Sequence, residues 1–291
     1  MDHIEAVARP VTRHVESLHA NGYAIVEQAL PRSELMTIAA EIEARFLRTP
    51  TADGDFVGRS TKRFGGILKR APATRAMVMH PDMLAAANAI LGPNCDHIQL
   101  NVAEASEIGV GEIAQVPHRD DSLWPSRVKG MEHALSAVWP LSETVLRVWP
   151  GSHGGAAEFP ETPIEIALAP ASALLLLGSV MRGAAGNSSS LPRRLVTAGY
   201  CLGWLKPYEN QWLTYPPDVA KNFDAELAAL VGYRRDRPNL GCVDGDCPTL
   251  LFENPAAVVR ARDALTADQT SALAAYREIQ LAVEADDGHA L

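Results

Sequence analysis

His118 and Asp120 stand two residues apart in the run Gln115-Val116-Pro117-His118-Arg119-Asp120-Asp121. On extended backbone that spacing sends both side chains from the same face, as two ligands of one metal must leave. An imidazole and a carboxylate so placed are two thirds of the facial triad that holds non-heme Fe(II) with open positions for a co-substrate and dioxygen. Nine histidines in 291 residues make about one His-x-Asp tripeptide expected by chance, so the surroundings must carry the argument.

Those surroundings are ordered. The stretch QVPHRDDSLWP, Gln115 to Pro125, is followed by Trp149-Pro150-Gly151-Ser152-His153 and by Gly178-Ser179-Val180-Met181-Arg182-Gly183-Ala184-Ala185-Gly186-Asn187. Pro192-Arg193-Arg194, Tyr200-Cys201-Leu202-Gly203-Trp204-Leu205 and Glu209-Asn210-Gln211 come next. In this order and at these intervals the blocks resemble the phytanoyl-CoA dioxygenase family of Fe(II)/2-oxoglutarate oxygenases, including its natural-product members. The resemblance runs from about Leu18 to Gln211.

The resemblance implies roles for particular residues. It makes His118 and Asp120 the first two iron ligands. The family's third ligand is the histidine of a Gly-Ser-x-x-His-Gly block, and here Arg182 occupies that position. The family's 2-oxoglutarate arginine, eleven residues further on, falls on Arg193, and a guanidinium suits that task because its fork can grip a carboxylate with two parallel hydrogen bonds. Gln115 resembles a glutamine near the co-substrate. A second departure is the loop before the Pro-Gly-Ser-His turn, where the family carries an Asn-Gly-Ala-Thr element. Here Ser136 to Val148 passes almost directly into Trp149-Pro150-Gly151 without it.

Arginine keeps its proton at ordinary pH and has no lone pair, so Arg182 cannot coordinate iron. Two arrangements follow. In one, Arg182 and Asp120 form an ion pair in the space of the metal. In the other, His118, Asp120 and chelating 2-oxoglutarate hold iron weakly, with Arg182 swung outward. His153 and His133 are the other candidates for a rescuing ligand; a turn or buried histidine more commonly serves as a hydrogen-bonded structural group.

Composition suits one soluble globular domain: 47% hydrophobic and 21% charged residues supply a substantial core. A net charge of −9 with no basic stripe argues against a nucleic-acid role. ASALLLLGSV, Ala171 to Val180, is too short to span a membrane and reads as a buried strand. The first residues show no basic stretch leading into an apolar one, so the expected location is cytoplasmic. Cys95, Cys201, Cys242 and Cys247 lack C-x-x-C spacing, and Cys242 and Cys247 read as reduced thiols in a Gly/Asp turn, with a disulfide or metal loop as the alternative. Phosphate-binding and nucleophile-elbow motifs are missing.

Periodicity outlines the elements that must position the site. Val11 to Ala20 reads as a helix stopped at Asn21-Gly22, and Tyr23 to Val26 as a strand. Ser33 to Leu47 reads as a helix with Ser33 as cap, and Pro81 to Leu91 as another, leading to a strand from His97 to Val102. Short β-rich segments separated by Gly/Pro turns fill Ser136 to Leu205, and Pro255 to Glu284 returns to helical spacing. The expected fold is an all-β core with flanking helices, a double-stranded β-helix (jelly-roll, cupin-like) barrel. Residues 1–291 are taken as one domain, with a helical part to about 92, the jelly roll from about 93 to 215 and a helical tail from about 216. The Gly/Arg-rich segment Phe56 to Leu68 is read as a loop at the entrance, with Arg63 and Phe64 as substrate or lid contacts or as an ordinary solvated loop.

Two function classes result. One is an Fe(II)/2-oxoglutarate-dependent dioxygenase that hydroxylates, desaturates or rearranges a small apolar natural-product intermediate, with Fe(II) on His118 and Asp120 and 2-oxoglutarate on Arg193. The other is a catalytically degenerate subunit that keeps the fold and supports an active paralogue, as a homodimer or heterodimer.

Overall fold

The computed structural model describes residues 2–125, 128–154, 162–253 and 260–287. Two compact units divide the chain, Met1–Val231 and Gly232–Leu291. The short helices Pro217–Ala220 and Ala225–Leu230 therefore belong to the first unit and not, as expected, to a tail beginning near 216.

Among the described residues, nine strands build the first unit: β1 (Tyr23–Val26), β2 (Thr61–Phe64), β3 (Ile98–Ile108), β4 (Ala134–Pro140), β5 (Thr144–Trp149), β6 (Ile164–Leu168), β7 (Ala173–Leu177), β8 (Met181–Ala184) and β9 (Arg193–Leu202). They form an antiparallel six-stranded sheet in the order β1-β7-β4-β9-β3-β2 and a three-stranded sheet in the order β6-β5-β8. This is the jelly-roll class expected, drawn as two sheets that do not close into a barrel.

The larger sheet buries both faces in places. β7 reads ALLLL and all five residues are buried, an unbroken apolar run instead of an alternating one, because helices cover its outer face. The helix Pro81–Leu91, capped by His80, whose Nδ1 accepts from Asp82 N, packs Met83, Ala86, Ala87 and Leu91 into that core. Tyr200 anchors the same region by donating its hydroxyl to the Val78 carbonyl at 2.7 Å.

Several boundaries differ from the sequence expectations. The first helix begins at Asp2 and ends at Asn21, where Gly22 takes φ +82° as the left-handed stop requires. The second spans Arg32–Phe46 with Pro31 at its cap position, so Ser33 lies inside the first turn and makes no capping bond. The part before residue 92 is not purely helical, since β1 and β2 supply both edges of the large sheet. β3 runs six residues past Val102, bent by a register shift between Leu100 and Val102.

In the second unit, Tyr233 and Phe252 pack at 4.8 Å, and Val243 and Asp246 bridge a tight turn containing Asp244 at φ +49°. Cys242 and Cys247 are free thiols. A helix spans Ala267–Asp287, so the helical spacing expected from Pro255 begins later; positions 254–259 lie outside the described residues. Among the described residues no helix is long and apolar enough to cross a membrane.

Candidate active site

A cavity of about 300 Å³ opens between the two sheets, at the lower end of small-molecule pockets. Strand parity decides what faces it. On β3 the residues Val102, Glu104, Ser106 and Ile108 line it; on β9, Leu195 and Thr197; on β4, Ser136 and Val138; on β8, Arg182 and Ala184. Cross-strand pairing puts Glu104 opposite Thr197 and Thr197 opposite Val138, so one row of side chains crosses the cavity floor.

His118 and Arg182 are direct antiparallel partners, each donating its backbone N–H to the other's carbonyl at 2.9 Å. Arg119 is extended, at φ −115° and ψ 135°, and its guanidinium donates to the carbonyls of Ser179 and Ser152. His118 and Asp120 consequently share the cavity side, as the two-residue spacing requires. His118 Nε2 lies 3.8 Å from Asp120 Oδ1.

Arg182 closes the site. Its Nη2 donates to Asp120 Oδ1 at 2.6 Å, and its Nε reaches Oδ1 at 3.1 Å and Oδ2 at 3.2 Å. Ser136 Oγ donates to Oδ2 at 2.8 Å. Room for that hydroxyl comes from Gly199, where a Cβ would sit 3.0 Å from Val102 Cγ1 and 3.4 Å from Ser136 Oγ. Burial alone would raise the Asp120 carboxyl, but Arg182, His118 and the donated hydrogen bonds outweigh it and hold its pKa below the usual range. Burial and the neighbouring Arg182 push His118 down to about 4, so the ring is neutral near pH 7. Its Nδ1 faces the Val116 carbonyl at 3.0 Å, which leaves the Nε2 lone pair toward the cavity.

The donor set does not fit a three-ligand iron centre. One position carries a protonated guanidinium, and both oxygens of the carboxylate are already hydrogen-bonded. His153 offers no replacement, since its Nε2 is bound to the His19 carbonyl at 3.0 Å and the residue does not line the cavity. His133 is buried against Trp124 and likewise lies outside the lining.

The remaining expected residues separate. Gln115 lines the cavity, with Nε2 donating to the Phe56 carbonyl and Oε1 accepting from Ala184 N, both at 3.2 Å; it ties the Phe56 segment to β8. Arg63 lines the cavity, but Phe64 does not. Adjacent residues of β2 face opposite sides, and Phe64 is buried in the core with its ring 5.0 Å from that of Phe46, which corrects its expected place at the entrance. Arg193 shares the β9 parity of the lining residues Leu195 and Thr197 and donates Nη1 to the Gly186 carbonyl at 3.1 Å, though it is not itself part of the lining. Asn187 bonds the Ile108 and Leu191 carbonyls, Glu209 accepts from Gly66 N, Asn210 caps a short helix and Gln211 reaches the Asn101 carbonyl. These four brace loops.

No motif in the sequence marks Glu104, Ser136 or Phe56 as site residues. Glu104 sits 3.4 Å from Arg63, and burial raises its carboxyl against the pull of Arg63 and Arg182. Phe56 meets the His118 ring edge-on at 5.0 Å. Two-residue alternation back from Ile108 would have found Glu104.

The sequence profile of the phytanoyl-CoA dioxygenase (PhyH) family matches residues 18–195. The chain belongs to this family. Similar proteins include dioxygenase swnH1 of Metarhizium robertsii, 26% identical over 282 residues that cover 86% of this chain and 90% of the relative. Dioxygenase olcK of Penicillium canescens is 25% identical over 253 residues, 80% of this chain and 83% of the relative. Among solved structures the family fold is matched by the non-heme alpha ketoglutarate dependent epimerase SnoN of nogalamycin biosynthesis, with TM-score 0.57, 19% identity and coverage of 67% of this chain and 82% of that one. HygX of Streptomyces hygroscopicus, solved with nickel, 2-oxoglutarate and hygromycin B, matches with TM-score 0.55, 13% identity and coverage of 68% and 89%.

Proposed function

We propose that this chain serves natural-product biosynthesis as a small-molecule-binding member of the PhyH family whose iron site has been closed by Arg182. It holds its ligand in the cavity between the sheets and supports an active relative, instead of oxidising the ligand itself. The observation that carries this reading is the 2.6 Å contact from Arg182 Nη2 to Asp120, made where the family has a metal. A guanidinium there supplies the positive charge that balances the carboxylate, so the pocket is complete without iron. As a homodimer, or as a heterodimer with that relative, such a protein would contribute binding and not turnover; light scattering of the chain alone and mixed with the relative reads that part.

A second reading is favoured by His118. Its Nδ1 bond to the Val116 carbonyl is the arrangement that orients a metal-binding imidazole. If Arg182 left Asp120, Fe(II) and 2-oxoglutarate could be held there and the chain would be an oxidative tailoring enzyme, hydroxylating, desaturating or rearranging a small apolar substrate.

The substitution Arg182→His separates the two. On the first reading the variant gains one Fe(II) per chain, bound at least about 100-fold more tightly than in the unaltered protein, since loss of a direct ligand exceeds the 10 to 100-fold typical of an outer partner. Equal iron affinity in both proteins, with 2-oxoglutarate turnover by the unaltered one, would establish the second reading instead.

A further inference from the structure

Two arginines of the cavity, Arg63 and Arg182, keep N–H donors that no described residue accepts. Arg63 makes no hydrogen bond to any described residue, although its side chain is only 27% exposed and its Nε is shielded from solvent. Its one charged neighbour, Glu104 Oε1, is 3.4 Å from Nη1, longer than any bond Arg182 makes to Asp120. A guanidinium carries five N–H donors, and buried donors are normally satisfied. Arg182 spends Nε and Nη2 on Asp120, while its Nη1 makes no hydrogen bond among the described residues.

Glu104 lies beside both arginines but accepts no hydrogen bond from either; the other acidic groups around the cavity are already engaged. Asp120 is held by Arg182 and Ser136. Glu112 accepts from Ser60 N, Thr61 Oγ1 and Ile113 N. Asp55 pairs with Arg59 on the surface. Beside these open donors the walls are apolar, with Phe56, Val138, Leu146 and Leu195.

We propose that the cavity binds the carboxylate of a compact apolar small molecule, gripped by Arg63 with the free edge of Arg182 and needing no metal. This rests on the reading above that Arg182 stands in for iron. Arg63 is presented by β2 on the cavity face, opposite Ser106, and Arg182 by β8 on the other sheet. A carboxylate between them would bridge the two sheets and complete the donors that the protein leaves open. The apolar body would lie along Phe56 and Leu195. Arg193, the arginine that family position would select for a carboxylate, is outside the lining.

The test is calorimetric titration of the EDTA-treated full chain with 1-naphthoate and with 1-naphthamide, which has the same shape without charge. Naphthoate should bind at least about tenfold more tightly, the worth of charge-assisted hydrogen bonds. Arg63→Gln should remove that preference, and Arg63→Lys should keep part of it, with thermal unfolding confirming that both variants fold. Equal affinity for the two probes, no binding of either, or a preference that survives Arg63→Gln would overturn the proposal. Because the protein is stripped of metal beforehand, such a failure is distinct from failure of the metal-free reading, which Fe(II) binding decides.

Discussion

Replacing Arg182 with methionine, which keeps length but removes the charge, tests whether the ion pair is a structural part of the folded protein. Asp120 would lose contacts of 2.6, 3.1 and 3.2 Å and keep only the hydroxyl of Ser136. Removing one partner of a buried pair costs about 3–5 kcal/mol, because the other charge is stranded. The side chains here remain 16% and 12% exposed toward the cavity, which favours the lower end, about 3 kcal/mol. For a domain of this size that loss lowers Tm by about 6–12 °C. Asp120→Asn in the same background removes the stranded carboxylate and should recover most of the loss. The four proteins form a cycle, measured by urea unfolding at pH 7, with an expected coupling of about 2–3 kcal/mol. A coupling below about 0.5 kcal/mol would mean that the pair is not made in solution, and the account of the closed site would fall with it.

Phe64→Ala should behave as a core substitution, losing about 3–5 kcal/mol in chemical denaturation while leaving naphthoate affinity at 1-naphthamide-corrected wild-type values; a selective loss of affinity would return Phe64 to the site. Glu107 concerns pH. Burial alone would raise its carboxyl, but the hydrogen bonds from Arg194 at 2.7 Å and from Lys62 outweigh burial and lower it. A lowered folded-state pKa stabilises above the unfolded value and loses that contribution as pH falls through the folded one. Glu107→Gln should therefore cost about 1.5–3 kcal/mol at pH 7, with the gap to wild type narrowing as pH drops below about 4.5. A gap that stays constant from pH 7 to pH 3.5 would contradict this.

Residues differ in how far the sequence alone places them, for physical reasons. Strand β1 and the helix Pro81–Leu91 were found with their boundaries because turn and capping signals bracket short periodic runs. The pairing of Arg182 with Asp120 was legible as one of two arrangements, because arginine's chemistry leaves it few roles beside a carboxylate. Phe64 was misplaced because the segment was read as a loop; once it is a strand, Arg63 and Phe64 must face opposite ways. Glu104 was missed because β3 was ended at Val102, and its bulge near Asn101 interrupts the alternation that would have continued the strand.

On the proposed reading Arg182 takes the place of the metal. Anaerobic calorimetric titration of the unaltered chain with Fe(II), with and without 2-oxoglutarate, should then show no saturable 1:1 binding in the micromolar range under either condition. Tight 1:1 binding strengthened by 2-oxoglutarate would refute the replacement of the metal by Arg182.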